Sequence, residues 1–434
     1  MPHESHVAIV GSGPNALSLA AHLRHRSVDF RIFGPPMKFW RSMPAGINLK
    51  SFAHATSVYA PARGHSFPEW CRERGLEDFE PCTMASFASY GMWMQERFVP
   101  GLEPIEVAQV AVSGDRFAIT LANEERLHAR RVVFATGLSH QAHMPAVLRE
   151  LPHELVTHTS EHADYGRFRG QEVVIVGAGA SAIEAGALVH EAGGRPQILV
   201  REGRAIFHDR LDIHRPFIER LRKPISVLGP GKKNRLLEEL PFLLHLVPRR
   251  QRVRFVKNYL GPAAPWWIAD RVQGLVPIWP KTHVIGAERR SDRIRLTIRE
   301  EGRGERTIDA DHVIAGTGYA SNIDRLPFLD DGFRRRVRRT ERAPTLSFNF
   351  ESSIKGAYFI GPVAALSFGP LFRFVAGAKY AAPVVARHIH GPARAISHVM
   401  RSWTGGSRST GGSVLTETIA AALPDPMGPD GSAR

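Results

Sequence analysis

The chain has 434 residues, 43% hydrophobic and 23% charged, with 39 glycines and 31 prolines, the composition of a folded protein with room for two domains. No stretch approaches the roughly 18 consecutive apolar residues of a membrane helix, and two cysteines, Cys71 and Cys82, cannot build a disulfide framework. The net charge of +15 is carried mainly by arginine, only nine of the 57 basic residues being lysine. Without a nucleic-acid motif this charge suits anionic small ligands or an acidic partner better than DNA or RNA.

The first expected strand, at residues 6–10, begins so near the N-terminus that no signal peptide is expected. With the two thiols this makes a cytoplasmic location the expectation. The strand leads into Gly11-Ser12-Gly13-Pro14-Asn15-Ala16, an Ala- and Leu-rich helical segment and a second strand at 30–33. Alternating "RFAITLA" (116–122) and, much later, "RIRLTIRE" (293–300) read as antiparallel hairpin strands. The opening pattern returns at 171–202: a strand at 173–176, Gly177-Ala178-Gly179-Ala180-Ser181-Ala182, a helical stretch and a strand at 197–200. Each copy is followed by an apolar strand ending in a Thr-Gly step. These are "RRVVFATGLS" (130–139), which contains Thr136, and "DHVIAGTGYAS" (311–321), which contains Thr317-Gly318-Tyr319.

This order predicts an α/β protein of two nested Rossmann-like dinucleotide-binding domains. Residues 1–165 and 306–395 are expected to form the first. Residues 166–305 form the second and carry a helical insertion at 205–282, in which 235–248 and 266–279 read as amphipathic helices. Residues 396–434, rich in Ser, Gly, Thr and Pro, are expected to be a disordered tail with one helix near 415–423.

A single glycine-rich turn is weak evidence of a nucleotide site, but two copies in the same strand-turn-helix context are strong. The first glycine makes the sharp turn, the second lets backbone approach a pyrophosphate, and a small third residue packs helix on strand. The end of the following strand then discriminates between ligands. A carboxylate there holds ribose hydroxyls, whereas arginine accommodates the 2′-phosphate of NADP. The second copy ends in Arg201-Glu202-Gly203-Arg204, so Arg201 and Arg204 are expected to clamp that phosphate. The first ends in Phe33-Gly34-Pro35 and lacks the acid.

Two nested units with these strand ends resemble the two-dinucleotide-binding-domain flavoproteins. "GTGY" (316–319), "HTSEHADYGRFRGQEVVIVGAGAS" (158–181), "FWRSMPAGINLKS" (39–51) and "GAYFIGPVAALSFGPLFRFVAGAKYAAPVVARHI" (356–389) are similar to segments of class B flavin-dependent monooxygenases. That class includes the flavin-containing N/S-monooxygenases and the amino-acid N-hydroxylases. The resemblance implies FAD on the first unit and NADPH on the second. Reduced flavin would capture O2 as a C4a-(hydro)peroxide and transfer one oxygen to nitrogen or sulfur of a small metabolite. It also implies cofactor contacts at Gly11, Ser12, Gly13, Pro14, Asn15, Ala16, Trp40, Thr136 and Gly361 for FAD. For NADP it implies Gly177, Gly179, Ala180, Ser181, Arg201 and Arg204, with Thr317, Gly318 and Tyr319 between the units. The Baeyer–Villiger signature is absent. The lysine with which amino-acid N-hydroxylases contact substrate is unmatched, because Ala53-His54 occupy its place, and this disfavours ornithine or lysine as substrate.

Asn48 and Lys50 are the polar residues expected nearest the flavin and the only catalytic candidates. No metal site is expected: His208, Asp209, Asp212 and His214 are closely spaced but without further ligands, although His208 and Asp209 could border the cleft. His158 and His162 are read as solvated loop positions, and Trp266, Trp267 and Trp279 as packing within the insertion. The leading reading is an NADPH-dependent flavoprotein monooxygenase acting on a small molecule and O2, with neither nucleic acid nor membrane as partner. The alternatives are an oxidoreductase of the same architecture without oxygen insertion and a non-catalytic nucleotide-binding protein, the latter supported only by Gly34.

Overall fold

In the computed structural model, which describes residues 3–44, 46–76, 81–208 and 216–403, both glycine-rich turns stand at the carboxyl end of a central parallel strand. The first sheet contains β1 (His3–Val10), β2 (Phe30–Phe33), β3 (Val107–Ser113), β4 (Arg116–Leu121) and β5 (Arg126–Phe134) in the order β2-β1-β5-β4-β3. Val7, Ala8 and Ile9 are all fully buried, as an unbroken apolar run must be in a parallel strand covered on both faces. β4 alternates instead, with Phe117, Ile119 and Leu121 inward, and pairs antiparallel with β3 and β5, as its sequence pattern predicts.

The second sheet is built from β6 (Val156–His158), β7 (Glu172–Val176), β8 (Arg195–Leu199), β9 (Ile278–Trp279) and a strand that arrives later. β10 (Thr282–Arg290), β11 (Arg293–Glu300) and β12 (Gly304–Ala310) form a separate antiparallel sheet, with Ile294, Leu296 and Ile298 in its core. The chain then re-enters the second sheet through β13 (His312–Ala315), giving the parallel order β6-β13-β7-β8-β9. A short ribbon follows, β14 (Arg339–Thr340) with β15 (Ala343–Pro344), and β16 (Ala357–Phe359) returns to the first sheet beside β5.

The nesting is therefore as expected, but the seams lie elsewhere. β6 falls inside the segment assigned to the first domain before 165, and β13 inside the segment assigned to it after 306. Yet Val313 pairs with both Val156 and Val174. Two segments cross between the units side by side, one on each pass of the chain. Ala142 bridges Tyr319, Ala320 N–H donates to the Gln141 carbonyl at 2.9 Å, and Gln141 Oε1 accepts from Asn322 N–H at 2.6 Å.

The insertion is helical over Phe217–Arg222, Lys232–Glu239, Phe242–Leu246 and Arg249–Asn258. Residues 266–279 depart from the expected helix. They form a six-residue 3-10 helix, Trp266–Arg271, and then β9, because Gly274 (φ +76°) and Pro277 break the helix and Ile278-Trp279 pair with Ile198-Leu199. Leu228, Leu237 and Val256 pack into the core of the first sheet, and Ile268, Val272 and Val276 into that of the second. The insertion thus spans both units and walls the space between them.

The described residues up to 389 form one compact unit, and those from 390 to 403 belong to another. The helix Ala378–Trp403, broken at Gly391, occupies the start of the expected tail; the helix foreseen near 415–423 lies outside the described residues. Among the described residues no helix is long and apolar enough to cross a membrane. The helix Asp331–Arg336 is started by Asp330, whose Oδ1 accepts from Phe333 N–H at 2.6 Å. Asp330→Ala should lower stability by about 1 kcal/mol in a denaturant titration.

Candidate functional site

The two turns are built alike. Gly11 N–H donates to Phe33 O and Gly177 N–H to Leu199 O, both at 3.0 Å, so each turn is tied to the end of the next strand. Gly11 has φ +111°, and a Cβ there would lie 2.6 Å from the Ala135 carbonyl oxygen. Gly177 has φ +148°, and its Cβ would overlap the Gly316 carbonyl oxygen. Ala135 precedes Thr136 and Gly316 precedes Thr317, so the two Thr-Gly strand ends are what press against the first glycines. Gly13 and Gly179 have nothing within 4 Å of a would-be Cβ. They open the helices Pro14–His25 and Ala180–Glu191 without a side-chain cap, which leaves first-turn N–H groups to a ligand.

A cleft of about 1780 Å³ runs between the turns, well above the roughly 300–1,000 Å³ of a pocket for one drug-sized ligand. Gly11, Ser12, Gly13, Pro14, Asn15, Trp40, Lys50, Thr136 and Arg204, all expected at the site, line it. The buried Asn15 Oδ1 and, across the cleft, the Trp267 indole N–H have no partner within the protein. Such orphaned groups beside open space fit a bound polar ligand.

Other expected residues fall elsewhere. Ala16 is fully buried beneath the turn, and Gly361 (φ +82°) supports Asn15, to whose Nδ2 a Cβ would come within 3.3 Å. From the second turn only Ala178 is in the lining, so Gly177, Gly179, Ala180 and Ser181 lie outside it. Arg201 points to Glu202, at 3.2 Å, and only Glu202, Gly203 and Arg204 of that loop reach the cleft. Asn48 is held in a bridge with Thr83 and does not line the cleft. Thr317, Gly318 and Tyr319 belong to the paired crossing segments: Thr317 Oγ1 donates to His143 O, and Gly318 O accepts from His143 N–H at 2.8 Å.

The histidines before the second turn are not solvated. His158 is buried, Nε2–H donating to Gly318 O at 3.0 Å and Nδ1 accepting from Ser160 N–H. His162 and His312 share the Thr157 hydroxyl at 2.7 Å each, and burial, aided by Arg167, lowers the pKa of both to about 4. Trp266 and Trp267 line the cleft, whereas Trp279 packs under Arg306. His208 also lines it, while Asp209, Asp212 and His214 lie outside the described residues. Among the described residues no group of three or more His, Cys, Asp or Glu could hold a metal ion.

Sequence reasoning missed Glu184, a carboxylate on the inner face of the helix Ala180–Glu191. Burial pushes its pKa up to about 8, against the opposing charges of Arg271 and Lys50. Lys50 donates from Nζ to Ala263 O at 2.6 Å; loss of water around the ammonium lowers its pKa although the residue keeps contact with solvent. Arg271 forks onto Glu191 at 2.6 and 2.8 Å and reaches Gly46 O at 3.2 Å. These contacts fasten the 46–50 loop of the first unit to a helix of the second. Glu184 is a lone acid in a helix whose residues 182–187 are all buried, and no motif in the sequence singles it out.

Two dinucleotide-type turns, each at the carboxyl end of a parallel strand and each tied to the end of the next strand, define a two-domain nucleotide-binding fold. Residues 5–382 match the model of the pyridine nucleotide-disulphide oxidoreductase family, and the chain belongs to that family. No curated protein matches it. Among solved structures it is similar to the ornithine hydroxylase of Pseudomonas aeruginosa (TM-score 0.71, 17% identity, 89% of this chain and 99% of that one). It is also similar to the Kutzneria sp. 744 ornithine N-hydroxylase with reduced FAD, NADP+ and L-ornithine (TM-score 0.70, 19% identity, 89% and 99%). The bacillithiol disulfide reductase of Staphylococcus aureus is a third relative in fold (TM-score 0.61, 18% identity, 90% and 98%). At these identities the likeness establishes the fold.

Proposed function

We propose that the protein is an FAD- and NADPH-dependent monooxygenase that places one oxygen atom of O2 on a nitrogen or sulfur of a small metabolite and operates in the cytoplasm. The observation that carries this reading is that the first dinucleotide turn shares one cleft with Ala178 of the second turn and the Glu202–Arg204 strand end, and that the lining of this cleft contains no cysteine. Cys71 and Cys82 are both buried away from it, so a dithiol relay of the disulfide-reductase kind has no place there. Electrons entering the cleft must leave to O2 or to a bound small molecule.

The residues fit the two groups. The Gly11–Asn15 turn and Thr136 would hold FAD, and the second turn with Arg204 would hold NADPH; together these cofactors supply hydride transfer and oxygen activation. Phe52, Val227, Leu228 and Val375 give the remaining cleft an apolar wall that keeps out water. Lys50 Nζ, held at Ala263 O, can carry a proton within the cleft, and the Asn48–Thr83 bridge positions the segment that presents it. The balance is substrate, NADPH, H+ and O2 giving oxygenated substrate, NADP+ and water.

Purified protein supplied with FAD, NADPH and isotopically heavy O2 should label an amine, amino acid or sulfide from a panel, with one NADPH consumed per product. NADPH consumption yielding only hydrogen peroxide, or reduction of an added acceptor without labelled product, would overturn the monooxygenase reading in favour of an oxidoreductase. Because Arg204, and not Arg201, reaches the cleft, Arg204→Ala should raise KM for NADPH about tenfold or more and leave KM for NADH nearly unchanged. Arg201→Ala should have the smaller effect of the two.

A further inference from the structure

The first turn lacks the strand-end carboxylate that holds ribose, and the structure shows why no acid can stand there. Gly34 has φ +127°, and a Cβ would lie 3.1 Å from Ser12 Oγ, which is itself committed to Pro35 O at 2.7 Å. Position 34 must stay glycine while the turn keeps this form.

A second segment reaches the same place. Phe33 and Glu103 form a parallel bridge, and Gly34 N–H donates to Glu103 O at 2.9 Å, so residues 103–107 run alongside the end of β2 in the same direction. Three residues beyond Glu103, at most about 10 Å further along the chain, Glu106 lines the cleft together with Gly34, Pro35 and Ser12. That is the region beyond the carboxyl ends of the strands where ligands of open α/β sheets bind. Its backbone is pinned, since Glu106 O accepts from Ala122 N–H at 2.8 Å. Its side chain is oriented by Lys38, whose Nζ meets Oε1 at 2.5 Å and leaves Oε2 to a hydroxyl donor. His140 lines the cleft beside them. Arg41 does not reach the lining.

We propose that Glu106 replaces the missing strand-end acid and accepts hydrogen bonds from the hydroxyls of the adenosine ribose of a dinucleotide bound at the first turn. The inference rests on the reading that this dinucleotide is FAD. A ribose hydroxyl is a neutral donor with two close neighbours on one edge, and a carboxylate is the side chain that accepts from such a pair.

The test is FAD binding, read from quenching of flavin fluorescence as apoprotein is titrated in, for wild type, Glu106→Ala and Lys38→Met. Glu106→Ala should weaken FAD about tenfold or more and leave FMN, which lacks the adenosine, unaffected. FAD lacking the adenosine 2′-hydroxyl should bind wild type more weakly than FAD does, and Glu106→Ala should show little of that discrimination. Equal melting temperatures of the apoproteins will separate a lost contact from a lost fold, and the exposed position of Glu106 favours that outcome. The proposal is overturned if Glu106→Ala binds FAD within twofold of wild type, or discriminates the deoxy analogue as wild type does. It is also overturned if Lys38→Met, and not Glu106→Ala, abolishes the discrimination. Wild type that binds no FAD would instead sink the FAD assignment itself, and the role of Glu106 with it.

Discussion

Gly11→Ala is expected to cost about 3 kcal/mol or more of stability and to abolish FAD retention, whereas Gly13→Ala should fold normally and bind FAD poorly. The difference is local geometry. At Gly11 an alanine would have to hold φ +111°, and its methyl would lie 2.6 Å from Ala135 O and 2.9 Å from the Ala135 carbonyl carbon. Those are backbone atoms of the chain leaving β5, and they cannot step aside. Ala135 N–H donates to Val10 O at 2.9 Å, and β1 and β5 are in register from His3↔Leu127 to Val10↔Phe134. Positive-φ strain alone is worth about 1–3 kcal/mol, and the overlap adds to it. Gly13, by contrast, has φ −86° and open space about its Cβ position, so alanine fits the protein within about 1 kcal/mol. The methyl would instead occupy the space in which a pyrophosphate approaches the helix. Thermal melts and flavin content of the two variants check this. If both are destabilised equally, or if Gly13→Ala retains flavin like wild type, the assignment of the two glycines fails.

The second large effect is a pH dependence set by Glu184. Its folded-state pKa of about 8 lies above the ordinary carboxyl value of 4.5, so between these limits the folded chain holds a proton that the unfolded chain has lost. Stability contributed by the neutral acid is fully present below pH 4.5 and is lost as pH rises through 8, at up to roughly 1.4 kcal/mol per pH unit. Lys50 and Arg271 restrain the loss by favouring the ionised form. Glu184→Gln keeps shape and polarity without titrating. Its melting temperature should match wild type below about pH 4.5, exceed it increasingly as pH rises to about 8, and keep a constant margin above that. Parallel melting curves across that range would show that Glu184 is ionised throughout. Because Glu184 acts on Lys50, which lines the cleft, the variant should also shift the pH profile of turnover where a purely structural change would only scale it.

The parts of the site that were legible in the sequence are those determined by short-range sterics. A strand, a glycine that must take positive φ, a glycine that must leave space and a helix start occupy consecutive positions, and their order specifies both turns and the nesting of the units. Gly11 to Asn15 follow on that basis, Arg204 follows from the charge a 2′-phosphate requires at the strand end, and Thr136, Trp40 and Lys50 follow from resemblance of their segments; all of these line the cleft. Thr317, Gly318 and Tyr319 read equally well as a ligand-contacting strand end, yet the pairing of 141–143 with 318–322 makes them part of the crossing between units. Asn48 and Lys50 differ by two positions, but only the bridge to Thr83 removes one of them from the lining.

What the sequence by itself determined about this protein is therefore the two nested dinucleotide folds and the character of each turn. Tertiary structure alone decided which sheet the short strands β6 and β13 join, because a buried strand of three or four residues has no local preference between two sheets and is committed by partners up to 157 positions away, as in Val156↔Val313. It also decided that Glu184 stands against Lys50 and that Glu106 reaches the place Gly34 leaves without an acid. A side chain's charge is written in the chain, but the distance at which it acts depends on which segments the fold brings beside it.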